Sequence, residues 1–417
     1  MNDLVRRGSK GLLRDINNSR VLQVIQARAP ISRAEIAKVA ELPPPTVTAI
    51  VNDFLRAGLV RETDLVREAV DGASTLGRRP IMLTLNEGLG FTVGVKLRQD
   101  GLTVAVTDLG GSLVHHSDQT LPASTPEEAL HQVANHVRDA LKLSRVHRSA
   151  VLGLGIGMPG LIQHVTGICR YSSLLGWRNV NVKHQLELLL EMPVYVDNDV
   201  NMLTAAEIAY GAGRETSEFL TVTIGRGIGL GIVLRGEIYR GAFGGAGEFG
   251  HTKTDSDLVC ECGATGCLEA VASEEGICNQ TVLVKGVPSI TIEEAIELAR
   301  NGDVQVEEIF KQAGRALGRG IGNLLNLFNP ELVIVTGEGT RAGPLLLDPM
   351  RQAIHAAVFG DLGADSRIVI QQWGDEAWAR GAASIVIHEM LKPPIYESRA
   401  MSPLAHLLNR GTRPAVP

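Results

Sequence analysis

Three apolar runs that end in glycine-rich turns constrain this chain more than any other feature. Val151-Leu152-Gly153-Leu154-Gly155-Ile156-Gly157-Met158 runs into Pro159-Gly160, Thr221-Val222-Thr223-Ile224 into Gly225-Arg226-Gly227, and Leu332-Val333-Ile334-Val335-Thr336 into Gly337-Glu338-Gly339. Short apolar runs bounded by turn residues read as buried strands. A hairpin pattern, residues 92–97 and 102–106, precedes them, and helical periods at 127–143 and 309–327 lie between them. Strands alternating with helices predict an α/β architecture. The glycines do not spell a dinucleotide fingerprint, and neither a Walker A motif nor a G-x-S-x-G elbow occurs. That removes P-loop chemistry and the common serine hydrolases.

At 417 residues the chain has room for about two to three domains of ordinary size. Hydrophobic residues at 44% and charged residues at 21% exclude global disorder. No stretch approaches the roughly 18 apolar residues of a membrane span, and the start MNDLVRRGSK lacks a signal-peptide core, so a cytoplasmic protein with no membrane partner is expected. Aromatic residues at 4% argue against a surface for stacking single-stranded nucleic acid. The net charge is −6, yet residues 1–80 carry 13 basic against 9 acidic residues. A mildly basic end on an acidic body fits a polyanion partner. Chance variation in surface charge gives the same split.

That basic end reads as a winged helix. From Ser19, residues Val21, Leu22 and Ile25 repeat at helical spacing up to Ala29-Pro30. Ser32 with Glu35 forms a capping-box pattern that opens a second helix. Val47, Ile50, Val51, Phe54 and Leu55 make one apolar stripe on a third helix, closed by Gly58. Residues 59–61 and 80–85 are two β-like runs around a polar loop. In such a motif the third helix enters the major groove and the wing follows the backbone or minor groove. Thr46 and Thr48 are therefore candidate DNA contacts, as are Arg78 and Arg79 at the wing, whose planar forks suit phosphate and narrow minor grooves. Pro43, Pro44 and Pro45 at the helix start point to sparse base readout. Winged helices also serve as protein-interaction modules, so double-stranded DNA is one of two partners this pattern allows.

His251, Cys260, Cys262 and Cys267 lie within seventeen residues in a glycine-rich stretch. Three thiolates with one imidazole select zinc, and four protein ligands make a closed, structural site. Cys169 and Cys278 have no such company and read as small hydrophobes. Asp197-Asn198-Asp199-Val200-Asn201 places carboxylates and amides at the end of an apolar strand. Such groups suit a polyhydroxyl ligand, whose hydroxyls both donate and accept. Equally, Asp and Asn are the residues of a helix cap.

Taken together, Gly247-Glu248-Phe249-Gly250-His251 followed by Cys260-x-Cys262-Gly-x-x-Gly-Cys267-Leu-Glu269 resembles the ROK family of repressors, open reading frames and sugar kinases, in its repressor branch with an N-terminal winged helix. The resemblance covers nearly all of residues 10–390. It implies a two-lobed, actin-like ATPase (ribonuclease H-like) domain with a sugar site between the lobes, in a homodimer or homotetramer. It further implies that Asn198, Asp199, Glu248, His251 and Glu269 hold the sugar, and that His251, Cys260, Cys262 and Cys267 hold the zinc. A histidine can serve both, binding metal through one ring nitrogen and a hydroxyl through the other. Asp199 matches the general base of the kinase members.

Phosphoryl transfer also needs a nucleotide cradle, and here the chain departs from the kinases. Their Asp-x-Gly-Gly-Thr turn is replaced by Lys96-Leu97-Arg98-Gln99-Asp100, and Arg226 stands where they carry threonine. The expectation is a non-enzymatic regulator with a vestigial base at Asp199: a repressor released from its operator by a sugar or sugar phosphate. A sugar kinase with an appended DNA-binding domain is the rival, and a regulator answering to another protein a third reading. The expected division is a winged helix over 1–85, a ROK domain over 86–392 and a mobile tail over 393–417.

Overall fold

The structure, a computed structural model, describes residues 10–63, 80–123, 125–372 and 374–391. Its first unit contains α1 (Lys10–Arg28), β1 (Ile31–Ser32), α2 (Arg33–Ala40), α3 (Pro44–Arg56), β2 (Val60–Thr63) and β3 (Met82–Leu85), with a small antiparallel sheet in the order β1-β3-β2. The expected capping box is formed: the Glu35 N–H donates to Ser32 Oγ, and the Ser32 N–H to the Glu35 carboxylate. Val47, Ile50, Val51 and Phe54 are buried on one side of α3, as the stripe requires. Helix α1 begins nine residues before Ser19, because polar positions continue a helix that the apolar period alone does not mark. The wing tip with Arg78 and Arg79, and the proposed tail, lie outside the described residues.

The remainder holds two lobes of one design. The first comprises β4 (Phe91–Leu97), β5 (Gly101–Asp108), β6 (Leu113–Thr120), α4 (Pro126–Leu143), β7 (Val151–Met158), a flap of β8 (Leu161–Gln163), β9 (Ile168–Ser172) and β10 (Trp177–Asn181), then α5 (Val182–Leu190) and β11 (Val194–Asn198). Helix α6 (Asp199–Tyr210) leads to the second lobe: β12 (Phe219–Ile224), β13 (Ile228–Leu234), β14 (Glu237–Ile238), α7 (Leu268–Ala272), α8 (Glu274–Lys285), α9 (Ile292–Arg300), α10 (Val304–Phe328), β15 (Leu332–Thr336), α11 (Pro344–Ala357) and β16 (Arg367–Ile370). Helix α12 (Asp375–Leu391) closes the described chain.

Among the described residues the large sheets are ordered β11-β7-β4-β5-β6 and β14-β13-β12-β15-β16. In both, three antiparallel strands form a meander whose first strand pairs in parallel with the fourth, and the fourth with the fifth. The lobes therefore repeat one topology, and they meet where Lys96, near the end of β4, pairs with Glu338, after β15. All three glycine-ended runs are strands of these sheets.

Helices α6 and α12 pack between the sheets: Met202, Ala205, Ala382 and Ile385 share one apolar cluster with Phe219, Val233, Leu332 and Ile334 of the second lobe. On the first lobe α12 lies so close to β7 that a Cβ on Gly155 would stand 1.8 Å from the Ala382 carbonyl oxygen. The alternating glycines of β7 thus admit a crossing helix rather than a nucleotide. The opposite end of α12 joins the winged helix, with Val386, Ile387 and Met390 buried among Val21, Leu22, Ile25 and Leu109.

Candidate functional site

Asn198 ends β11 and caps α6, its Oδ1 accepting from the Val200 N–H at 2.9 Å while its amide donates to the Gly160 carbonyl at 3.2 Å. The capping reading is thus realised in the same residue that the sugar reading singles out. Asp199 is the first residue of α6, so the helix begins within the acid-amide cluster itself. Neighbouring Asp197 is buried, and its carboxylate takes hydrogen bonds from the Asn198 N–H at 2.8 Å, the Asn201 amide at 2.8 Å and Arg240 Nε at 2.6 Å. Arg240 follows β14 in the other lobe, so a buried ion pair joins the two lobes next to Asn198 and Asp199 in the chain. Nothing local in the sequence marks Arg240 as the partner of a residue 43 positions away.

Burial pushes the Asp199 carboxyl above the ordinary carboxylate range, and the Lys96 ammonium opposes it. Lys96, one residue before the end of β4, is itself buried, with Nζ 4.2 Å from the centre of the Trp378 ring and 3.9 Å from a carboxylate oxygen of Glu338. The β4–β5 turn is held by protein side chains, Arg98 donating to Thr103 Oγ1 at 2.6 Å. Arg226, in the corresponding turn of the second lobe, reaches Glu261 at 3.5 Å.

Glu248 precedes a short 3₁₀ turn that His251 ends, with His251 Nε2 3.9 Å from Glu248 Oε2. The other ring nitrogen, Nδ1, lies 3.8 Å from Cys260 Sγ, and Cys262 and Cys267 sulfurs are 3.8 Å apart. One ligand atom from each of these four residues falls within 4.8 Å of the others, the one group of this kind among the described residues that could hold a metal ion. Thiolates bound tetrahedrally at about 2.3 Å stand about 3.8 Å apart, the spacing of the Cys262 and Cys267 sulfurs, and the remaining donors lie within 4.8 Å. Glu269, at the start of α7, accepts from the Ile228 N–H at 3.0 Å through Oε2 and lies 3.6 Å from Cys260 Sγ through Oε1. His251 and Glu269 therefore connect the sulfur cluster to the carboxylates. Burial raises the Glu248 carboxyl, His251 lowers it, and the charges of Asp199 and Glu269 raise it.

On α3, Thr48 is exposed but its hydroxyl donates to the Pro44 carbonyl at 2.9 Å. Half-buried Thr46 and exposed Ala49 line a hollow of about 420 Å³ with Leu13, Arg14, Asn17 and Asp53. Pro45, Ala49 and Asn52 join Thr48 on the exposed side. The buried stripe leaves Ala49 and Asn52 on the opposite, exposed side of α3, which its period in the sequence already implies.

The fold and this site define a class: a winged helix-turn-helix fused to a domain of the actin-like sugar-kinase design. Residues 92–389 match the ROK family and residues 14–61 a winged helix-turn-helix DNA-binding family. The chain belongs to the ROK family. It is similar to the xylose repressor of Caldicellulosiruptor bescii, 29% identical over 93% of this chain and 100% of that one. The N-acetylglucosamine repressor of Escherichia coli O157:H7 is 28% identical over 92% of this chain and 95% of its own length. Among solved structures, a ROK family transcriptional regulator, a homolog of the E. coli MLC protein, superposes with a TM-score of 0.79 at 26% identity, covering 95% of this chain and all of that one. A ROK family glucokinase from Streptomyces griseus, in complex with glucose and AMPPNP, gives 0.62 at 27% identity over 72% of this chain and all of its own. No helix among the described residues is long and apolar enough to cross a membrane.

Proposed function

We propose that the protein is a sugar-responsive DNA-binding repressor. The observation that carries this reading is α12, which packs between both lobes and also forms part of the winged-helix core. A ligand that changes the angle between the lobes must move α12 against at least one partner, and the winged helix moves with it. Ligand preference for one lobe arrangement then becomes a shift between DNA-binding and released states. Moving an operator from mostly bound to mostly free requires about 10⁴-fold preference per assembly. Two sites in a homodimer, or four in a homotetramer, share that requirement and place two winged helices on operator half-sites about one helical turn apart.

In this reading Asn198, Asp199, Glu248, His251 and Glu269 hold the sugar. His251, Cys260, Cys262 and Cys267 bind a structural zinc ion, which fixes the tautomer and direction of the imidazole whose Nε2 faces Glu248. Lys96, where kinase members place an acid, and the filled β4–β5 turn favour a domain that no longer uses ATP. On α3, Thr48 touches DNA with its neighbours Ala49 and Asn52, and the wing arginines Arg78 and Arg79 reach the backbone.

The test is fluorescence anisotropy of a labelled duplex from the gene's own upstream region, titrated at fixed salt with and without D-xylose, D-glucose and N-acetyl-D-glucosamine. Specific binding weakened by a sugar is the expected result; absence of specific binding would overturn it. Retention of Asp199 favours a kinase as the second reading, which predicts sugar-dependent ADP release abolished by Asp199→Asn.

A further inference from the structure

Accepting the sugar cleft as the effector site, the end of that cleft beyond Asp199 is already occupied by charges of the protein itself. Lys96 belongs to the first lobe and Glu338, at the turn after β15, to the second; their ion pair spans the cleft at 3.9 Å. The pair is built in on both sides. The Lys96 ammonium is buried against the face of Trp378 from α12. The Glu338 carboxylate lies over the β12–β13 turn, 2.6 Å from where a Cβ of Gly225 would stand. Asp199 senses both groups, the ammonium favouring its ionised form and the carboxylate opposing it.

We propose that the Lys96–Glu338 pair takes the place of a phosphoryl group at this end of the cleft, so that the effector is an uncharged sugar and its phosphate ester is rejected. Lys96 and Glu338 are the charges that act on the Asp199 carboxyl, so a sugar hydroxyl bonded to Asp199 would lie within reach of their fields. A phosphoryl group on the same oxygen would carry about two negative charges into the company of Asp199, Glu248, Glu269 and Glu338. Lys96 is engaged by Glu338 and Trp378, and Arg226 is turned away to Glu261. Like charges brought together in a partly desolvated cleft repel far more strongly than in water. A neutral sugar meets no such barrier and uses the carboxylates as hydrogen-bond acceptors. The pair also joins the lobes without a nucleotide between them.

Calorimetric titration of the full-length, zinc-loaded protein tests this, with D-xylose, D-glucose and N-acetyl-D-glucosamine each compared with its terminal phosphate ester, and the same six compounds added to the DNA-binding assay. At least one free sugar should bind and release DNA while its ester binds at least about tenfold more weakly. In Glu338→Gln, which keeps the shape and removes the charge, discrimination against the ester should fall by about tenfold, equivalent to about 1.4 kcal/mol. An ester that binds the unaltered protein more tightly than its free sugar overturns the proposal, as does unchanged discrimination in Glu338→Gln. If none of the six binds while specific DNA binding persists, the sugar reading itself fails and the inference with it.

Discussion

Gly381 of α12 lies against the carbonyl of Met202 in α6, so closely that a Cβ at this position would stand 2.1 Å from the carbonyl oxygen. The two helices that separate the lobes thus meet backbone to backbone. Each also touches both sheets, and a change in their spacing is a change in lobe angle. Because interiors are close-packed, such a crossing shifts between discrete arrangements instead of stretching smoothly.

Substituting Gly381→Ala should therefore force the helices apart. Overpacking of a tight contact costs about 1–3 kcal/mol. A lower melting temperature is expected, together with an altered sugar concentration for DNA release. A variant with both unchanged would show that the α6–α12 spacing is not used in the response.

Asp199→Asn separates folding from recognition. Burial raises the Asp199 carboxyl, so its ionised form is disfavoured in the folded chain. The stabilising contribution of a group raised in this way is complete below its unfolded value and is lost as pH rises through its folded value. At neutral pH the neutral amide should leave the melting temperature unchanged or higher, while sugar binding is lost because one acceptor has become a donor. In the unaltered protein, sugar affinity should fall on acidification at a pH above the ordinary aspartate value of 3.8. Calorimetry across pH, with circular-dichroism melts of both proteins, checks each part.

Arg240→Met removes the cation of a buried pair and leaves the Asp197 carboxylate with its two amide donors alone. Breaking a buried ion pair from one side costs about 3–5 kcal/mol, readable in urea unfolding. The double replacement Asp197→Asn with Arg240→Met should recover part of that loss, since no uncompensated charge remains buried. If the double variant is as unstable as Arg240→Met, the cost lies in lost packing and not in the charge.

The features legible in the sequence are those carried by neighbours in the chain. The Ser32–Glu35 box spans four residues, the Cys-His set seventeen, and the acid-amide cluster one strand end, so local spacing alone brings their groups together. Charges paired across the cleft leave no such trace: Lys96 stands out only as a departure from the kinase turn, and its partner Glu338 sits inside what reads as a plain glycine turn. The repeated sheet order was hidden for a similar reason, because topology depends on which distant strands pair. Thr46 lies at the edge of the α3 stripe, and its half-buried setting beside α1 follows from a packing that local spacing does not show.

Zinc removal should act on the sugar response before it unfolds the protein. The sulfur cluster is confined to residues 251–267, where two isolated β-bridges, Lys253 with Cys267 and Val259 with Thr265, are the main backbone pairing. Cys262→Ser, or a chelator, should lower zinc content, soften this loop and free the His251 ring, weakening sugar binding while winged-helix DNA binding persists. Elemental analysis paired with sugar calorimetry measures both. Full zinc with full sugar affinity in Cys262→Ser would disconnect the metal from the cleft.

The coupling itself is open to a sharper cut at the far end of α12. Ile387 is 5% exposed in the cluster with Val21, Leu22 and Ile25 of α1, and it reaches neither the carboxylates nor the exposed side of α3. Truncation of a buried isoleucine to alanine costs about 2–5 kcal/mol, depending on how far the site collapses, and here the loss falls at the seam between α1 and α12. Ile387→Ala should therefore keep sugar affinity within about twofold, a change of about 0.4 kcal/mol, and should still bind operator DNA, yet release it less completely at saturating sugar. Anisotropy at saturation isolates that term, since it no longer depends on affinity. Complete release by the variant would mean that the winged helix follows the lobes through another contact, such as the approach of α1 to α6 or the packing of Leu109 against the winged-helix core.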